Sequence, residues 1–159
     1  MGDGRVSDPV TTAEGVGEFI VLAELSTALS SRLAGWSTDG ADPDTSATMA
    51  SLAARLGEHA GWWMDRTPES ALLEGERTAA SGAGRLTDIL ALLDIPPSDR
   101  RSAVAPVLDR LVAYLGVLSE RLSPVGDVPA LRTIRLVLAD HEDRPRLTGA
   151  PHGRSPRHR

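Results

Sequence analysis

The sequence contains no cysteine, and this absence removes a whole group of possible sites. Without a thiol there can be no disulfide, no thiolate nucleophile, no zinc ribbon and no iron–sulfur cluster. Lysine is also absent, which excludes Schiff-base chemistry and the lysine of a phosphate-binding loop. Alanine, glycine, arginine and proline are abundant instead, as is typical of a protein from a GC-rich genome.

Aromatic residues are scarce, and leucine and alanine supply most of the apolar content. With few aromatic or β-branched runs, the composition favours helices over strands. A chain of 159 residues fits one domain, which can bury roughly two thirds of its unfolded surface without a metal or disulfide. The aromatic residues are Phe19, Trp36, Trp62, Trp63 and Tyr114.

The net charge of −5 conceals an uneven distribution along the chain. No acidic residue follows Asp143, whereas five of the seventeen arginines do, so residues 144–159 carry +5 and the rest of the chain −10. An acidic body argues against nucleic acid as a partner. The tail, residues 148–159, is interpreted as a basic disordered terminus; a docking peptide for an acidic partner or membrane surface is the alternative.

No apolar run approaches the roughly 18 residues of a membrane span, and the first fifteen residues are too polar for a signal peptide. We therefore expect a cytoplasmic protein without a membrane partner. Residues 1–10 are predicted to be disordered, and residues 11–147 to form a single helical domain.

The segment LAARLGEHAGWWMDRTP, residues 52–68, is the centre of the predicted fold. Steps of three and four residues place a histidine on the same helical stripe as the core residues. Pro68 ends this helix because it has no N–H and restricts the residue before it. The stripe consists of Met49, Leu52, Leu56, His59 and Trp63.

Apolar periodicity and turn signals predict an all-α chain with four main helices. Short turns join the first helix to the second and the third to the fourth. Between them, Gly75, Gly82 and Gly84 interrupt any helical pattern, so residues 68–97 are predicted to form a long crossover with a short helix at 85–93. Pro106 predicts a kink or a separate first segment in the third helix. Such connections are typical of a ferritin-like four-helix bundle with one crossover. The predicted helices span residues 11–36, 44–67, 98–122 and 128–144.

The second and fourth helices contain similar sequences, Leu-Gly-Glu-His and Leu-Ala-Asp-His, which end at His59 and His141. Ferritin-like di-metal proteins place Glu-x-x-His on two helices and single glutamates on the other two. Here Leu56 and Leu138 occupy the required glutamate positions. Glu58 and Asp140 cannot replace those glutamates, because adjacent helical residues point about 100° apart. Glu18 is the candidate inward acid. A dinuclear iron centre is therefore incomplete, and no metal ligand is assigned; iron or another divalent metal remains the alternative.

His59 and His141 admit two interpretations. In the first they are neutral core residues, hydrogen-bonded to a carboxylate or a backbone carbonyl. In the second they are acid–base or recognition groups in a pocket between helices. Trp62, Trp63, Tyr114 and Glu18 are the candidate ligand-binding residues in that case. Adjacent tryptophans cannot share one helical face, so one of the pair is expected to be partly exposed or to line a groove.

Three stretches, LSSRLAGWSTDGADPD (residues 29–44), HAGWWMDRTP (59–68) and TIRLVLAD (133–140), resemble a group of actinobacterial ferritin-like proteins. In that group a Gly-Gly-Trp precedes the first turn, and His-Ala-x-x-Trp-x-x-Arg-Leu-Pro ends the second helix. TIRLVLAD, residues 133–140, is similar to the start of the last helix. Arg55 and Gly61 stand where acids are expected. The matching residues are Gly35, Trp36, His59, Ala60, Trp63, Arg66 and Pro68.

The resemblance implies the fold and no single activity. We expect a protein that binds or converts a small molecule in actinobacterial metabolism, with catalytic His59 and His141. A non-enzymatic module that dimerises through a helical face is one alternative, and a homodimer is expected. A metal-dependent ferritin-like oxidase is the other alternative.

Overall fold

A computed structural model describes residues 8–39, 42–80, 91, 93–95, 99–144 and 147. This part of the chain contains helices and no strand, which confirms the all-α prediction. The predicted short helix at 85–93 lies almost entirely outside the described residues. The helices are α1 (Thr12–Thr38), α2 (Pro43–Met64), α3 (Glu74–Ala80), α4 (Arg100–Arg121) and α5 (Val128–Glu142), and a 3₁₀ turn, Ala71–Leu73, precedes α3.

The first helix begins where the sequence predicts, because Thr11 and Glu14 form a capping box. The Glu14 carboxylate accepts a hydrogen bond from the Thr11 backbone N–H at 2.8 Å, and the Thr11 hydroxyl accepts one from the Glu14 N–H. These two bonds satisfy donors that have no partner within the helix. At the start of α2 the Asp42 carboxylate accepts from the Thr45 N–H at 3.0 Å.

Helices α1 and α2 form the predicted antiparallel hairpin. Near the start of α1, the Phe19 ring stacks on the Trp63 ring near the end of α2, with 6.2 Å between centroids. Further along α1, the Ser30 hydroxyl donates to the Ala53 carbonyl at 2.7 Å. Because these contacts run in opposite directions along the two helices, their stripes face each other over most of their length.

Helix α4 runs antiparallel to α1 and contacts it at both ends. At one end the Val10 N–H donates to the Arg121 carbonyl at 3.1 Å, so α4 holds part of the segment predicted to be disordered. At the other end the Arg100 guanidinium donates to the Asp39 carboxylate at 2.5 Å and lies over the Trp36 ring. A short turn, residues 122–127, then brings α5 back beside α4 and α2.

The four long helices share one core, to which α1, α2 and α4 contribute leucine-containing stripes and α5 contributes Ala130, Ile134 and Val137. The stripe predicted for α2 is confirmed, since each of its five residues is at most 3 % exposed. Leu93 and Leu147 also lie in this core, which places parts of the crossover and of the C-terminal segment against it. The largest fully buried side chains include Leu22, Leu29, Leu33, Leu56, Trp63, Leu108, Leu115 and Leu118.

One element differs from the sequence expectation, and another decides between alternatives that the sequence left open. Gly75 was expected to interrupt helical structure, yet it lies in the first turn of α3, which packs against α1. A glycine costs less at a helix end than in an interior, because fewer hydrogen bonds depend on it there. Pro106 lies inside a single continuous α4, so the third main helix has no separate first segment.

Within the described residues, α4 is long and apolar enough to cross a membrane by length and composition. Its leucine stripe, however, packs against the other helices, with Leu108, Leu115 and Leu118 at most 2 % exposed. The core helix of a helical protein passes the same test of length and composition. Length and apolar composition therefore do not place α4 in a membrane.

Replacing Gly61 with alanine is expected to raise the free energy of unfolding by about 0.5–1 kcal/mol, because glycine weakens a helix relative to alanine. A Cβ at this exposed position of α2 would meet no atom within 4 Å. Gly57→Ala is the matched control, since its Cβ would lie 3.3 Å from the Ser30 hydroxyl. Urea denaturation should show a smaller gain for Gly57→Ala; an equal gain would mean that Ser30 moves aside freely.

Candidate functional site

Helices α2 and α5 bring two histidines together, as the sequence pattern suggested. His59 and His141, here called the imidazole pair, have ring centroids 5.4 Å apart and ring planes inclined by 62°. Both side chains are buried, with 1 % and 5 % of their surfaces exposed. Each lies on the buried stripe of its own helix, so the packing of α2 against α5 places the two rings face to edge.

A carboxylate on α5 holds the ring of His59. The His59 Nε2 lies 2.9 Å from an Asp140 carboxylate oxygen. A carboxylate only accepts hydrogen bonds, so a neutral His59 donates through Nε2–H and keeps its lone pair on Nδ1. The Arg55 guanidinium also reaches across from α2 and donates to the Asp140 backbone carbonyl at 2.5 Å. Asp140 is thus tied to α2 through both its side chain and its backbone.

Each imidazole has one buried nitrogen without a hydrogen-bond partner among the described residues. These atoms are the Nδ1 of His59 and the Nε2 of His141. A buried polar atom without a partner is uncommon in a native structure, and it points to a water, an ion or a ligand. The pair therefore offers two unsatisfied ring nitrogens in an otherwise apolar interior.

Burial lowers the pKa of both histidines. For His59 the loss of hydration dominates, and the hydrogen bond from Nε2 to Asp140 opposes it in part. For His141 the loss of hydration, followed by the positive charges that His59 and Arg144 can carry, lowers the pKa to about 4. Both rings are consequently neutral at pH 7, the form in which an imidazole accepts a proton or a hydrogen bond.

Trp62 connects the imidazole pair to the surface. Its ring lies 5.2 Å from the His59 ring, centroid to centroid, and its side chain is half-buried. Its other neighbours form an open groove of about 420 Å³ between the end of α2 and the start of α5, here called the α2/α5 groove. The groove is lined by Trp62, Asp65, Arg66, Val128, Pro129, Arg132, Thr133 and Leu136.

The other three predicted site residues lie elsewhere. Trp63 is 1 % exposed and stacks on Phe19, so it is a core side chain of the α1/α2 hairpin. Tyr114 donates a hydrogen bond to the Glu18 carboxylate, which joins α4 to α1. Among the described residues, no hydrogen bond or ring contact links Trp63, Tyr114 or Glu18 to the imidazole pair. The structure gathers only His59, His141 and Trp62 of the six candidates.

Sequence reasoning missed the site contributions of Asp140, Arg55, Arg66 and Arg132. Asp140 was set aside because adjacent helical residues point about 100° apart, an argument that holds within one helix. The carboxylate instead reaches the histidine of another helix, which no spacing along α5 could reveal. Arg132 carries no local signal, and Arg66 was noted only as part of the motif that ends the second helix. The two arginines line one groove only because α2 packs against α5.

The residues around the imidazole pair do not fit a di-iron centre. No group of three or more His, Cys, Asp and Glu side chains in the described ranges is arranged to hold a metal ion. Asp140 already occupies the Nε2 side of His59, and buried Leu56 stands where a bridging glutamate would be needed. The oxidase alternative therefore has no donor set within this part of the chain.

Comparison with known proteins found no relative of this chain. No protein-family model matches the sequence, and neither the curated proteins nor the solved structures compared with it include a match. The functional interpretation consequently rests on the chain's own side chains and their arrangement.

Proposed function

We propose that the chain is a ferritin-like four-helix bundle without a complete di-iron site, and that it binds or converts a small molecule in the cytoplasm of an actinobacterium. The alternation of short turns with one long crossover between α2 and α4 supports the fold proposal. The resemblance at Trp36 and at residues 59–68 supports the family. The observation that carries the function is the imidazole pair, with two buried ring nitrogens that have no hydrogen-bond partner in the described part of the chain.

The proposed chemistry centres on the Nδ1 atom of His59. Asp140 receives the Nε2–H and so keeps the lone pair on Nδ1, the arrangement by which a carboxylate orients a general base. His141, whose ring edge contacts His59, supplies a second neutral nitrogen that can donate to or accept from the same ligand. Asp140 is a positioning residue, and the two histidines are the groups that would touch the small molecule.

Trp62 supplies the route by which a ligand reaches this centre. The Trp62 ring contacts the His59 ring and also lines the α2/α5 groove. The half-buried indole separates the groove from the imidazole pair, so a rotation of this side chain would open a path between them. A pocket that combines apolar walls with a few convergent polar groups is typical of small-molecule sites.

His59→Ala and His141→Ala are each expected to weaken the binding of small molecules detected by ligand-observed NMR with a fragment library. Loss of the single hydrogen-bonding nitrogen that a ligand uses should weaken binding by about tenfold or more. Glu58→Ala is the matched control, because Glu58 adjoins His59 on α2 but is exposed. Its fragment binding should equal that of the unmodified chain.

Asp140→Asn tests, in the same binding assay, whether Asp140 acts by positioning His59 rather than by touching the ligand. An amide can still bond to His59 but no longer demands a donor at Nε2, so the tautomer changes while the shape is kept. Binding that depends on an unprotonated Nδ1 should weaken. The proposal fails if fragments bind equally to His59→Ala, His141→Ala and the unmodified chain, all folded by circular dichroism.

A further inference from the structure

Resting on the function proposed above, we infer that the α2/α5 groove binds an organic anion whose carboxylate, sulfonate or phosphate group is attached to an apolar body. The two halves of that description come from different residues. The apolar walls select the body of the ligand, and two arginines select the charge.

The apolar part of the groove contains aliphatic side chains that are about half exposed to solvent. Val128 and Leu136 lie eight residues apart on α5, close to one helical face, and are 50 % and 47 % exposed. Pro129 and the half-buried ring of Trp62 complete this surface. An aromatic or branched hydrocarbon body laid along it would remove these side chains from water.

The charged part of the groove carries an excess positive charge. Arg66 and Arg132 both line it, and neither forms an ion pair with a carboxylate among the described residues. The Nε of Arg66 is buried and has no hydrogen-bond partner there. Among the described residues that line the groove, Asp65 is the one acid, so two guanidinium groups accompany one carboxylate.

These features select an anion rather than a cation or a neutral ligand. A guanidinium presents planar N–H donors that match the paired oxygens of carboxylate, sulfonate or phosphate groups. The buried Nε–H of Arg66 gains its missing acceptor when such a group enters. The rest of the protein is acidic, so this excess of arginine is not the general character of its surface. The groove's volume, about 420 Å³, falls in the range of small-molecule sites.

Two fluorescent probes with the same aromatic body test the inference on the full chain. 8-Anilinonaphthalene-1-sulfonate carries one sulfonate, and N-phenyl-1-naphthylamine carries no charge. The sulfonate probe should bind more tightly than the neutral one by about tenfold, as expected for hydrogen bonds between charged groups. Melting curves taken with each titration confirm that the probe meets folded protein.

Single substitutions then locate the site. Arg132→Gln and Arg66→Gln should each weaken the sulfonate probe by about tenfold and leave the neutral probe unchanged. Asp65→Asn should act in the opposite direction and tighten the sulfonate probe, because it removes the competing carboxylate. Arg110→Gln is the matched control, since Arg110 is exposed on α4 and lies outside the groove.

Several results would overturn the inference. Equal affinity of the two probes, or unchanged sulfonate binding in Arg132→Gln, would show that charge does not select the ligand. A dimer in sedimentation velocity that Leu136→Glu dissociates, with sulfonate binding unaffected by both arginine variants, would show that a second copy covers the groove. Sulfonate binding that needs the arginines but not His59 and His141 would retain this inference and reject the proposed function.

Discussion

Replacing Trp63 with alanine is expected to lower the free energy of unfolding by about 3–5 kcal/mol. The indole is 1 % exposed and stacks on Phe19, so the truncation removes buried apolar surface from both helices of the α1/α2 hairpin. The loss combines the lost burial with the cavity that remains, because the neighbouring leucines cannot fully collapse into it. Urea denaturation at pH 7.5 measures the change directly.

Trp62→Ala is the matched control for Trp63→Ala. It removes the same side chain one residue earlier, from a half-buried position beside the groove, and should cost about half as much or less. A loss below about 1 kcal/mol for Trp63→Ala would place that ring on the surface and reverse the assignment of the buried face of α2. Equal losses for the two variants would contradict the division between core anchor and groove wall.

Lowering the pH from 7.5 to 5 is expected to reduce the free energy of unfolding by roughly 2 kcal/mol through His141 alone. Burial holds the pKa of His141 at about 4 in the folded chain, against 6.5 as its ordinary value. Between those two pH values His141 is protonated in the unfolded chain and neutral in the folded chain, so acid favours unfolding. The contribution of this ring is therefore complete above about pH 6.5 and declines as the pH falls towards 4.

His59 should add to this loss, because burial also lowers its pKa while Asp140 moderates the effect. Urea denaturation at half-unit pH steps measures the slope, and stopping at pH 5 keeps most carboxylates ionised. His141→Asn, which cannot titrate, should flatten the slope between pH 6.5 and 5. A slope that is flat in the unmodified chain would mean that both rings are hydrated, which contradicts the buried imidazole pair.

The helices themselves were accessible from the sequence because their signals are local. Thr11 and Glu14 stand three residues apart in the spacing of a capping box, and the core stripe of α2 repeats at helical period. Local signals failed at the crossover, where Gly75 was expected to break a helix. There the packing of α3 on α1 decides the structure, since tertiary contacts supply most of a short helix's stability.

The candidate site was only partly visible for the same reason. The stripe on α2 placed His59 inside, and the similar spacing on α5 placed His141 inside, so their proximity could be predicted. The hydrogen-bond partners of the two rings could not be predicted. Asp140 was identified as an acid that faces away from the stripe of its own helix, yet it reaches His59 on another helix. Tyr114 and Glu18 were grouped with the histidines, but they bond to each other between α4 and α1.

The sequence by itself determined that this protein is helical, which faces of its helices are apolar, and that two histidines lie on those faces. Periodicity carries that information, because residues three and four apart share a helical face whatever else the chain does. Only the tertiary structure decided which charged side chains lie together across helices: Asp140 bonds to His59, and Arg66 and Arg132 line one groove with Trp62. These arrangements depend on the relative axial position and rotation of α2 and α5. The packing of the whole core sets both, so no single segment of the sequence encodes them.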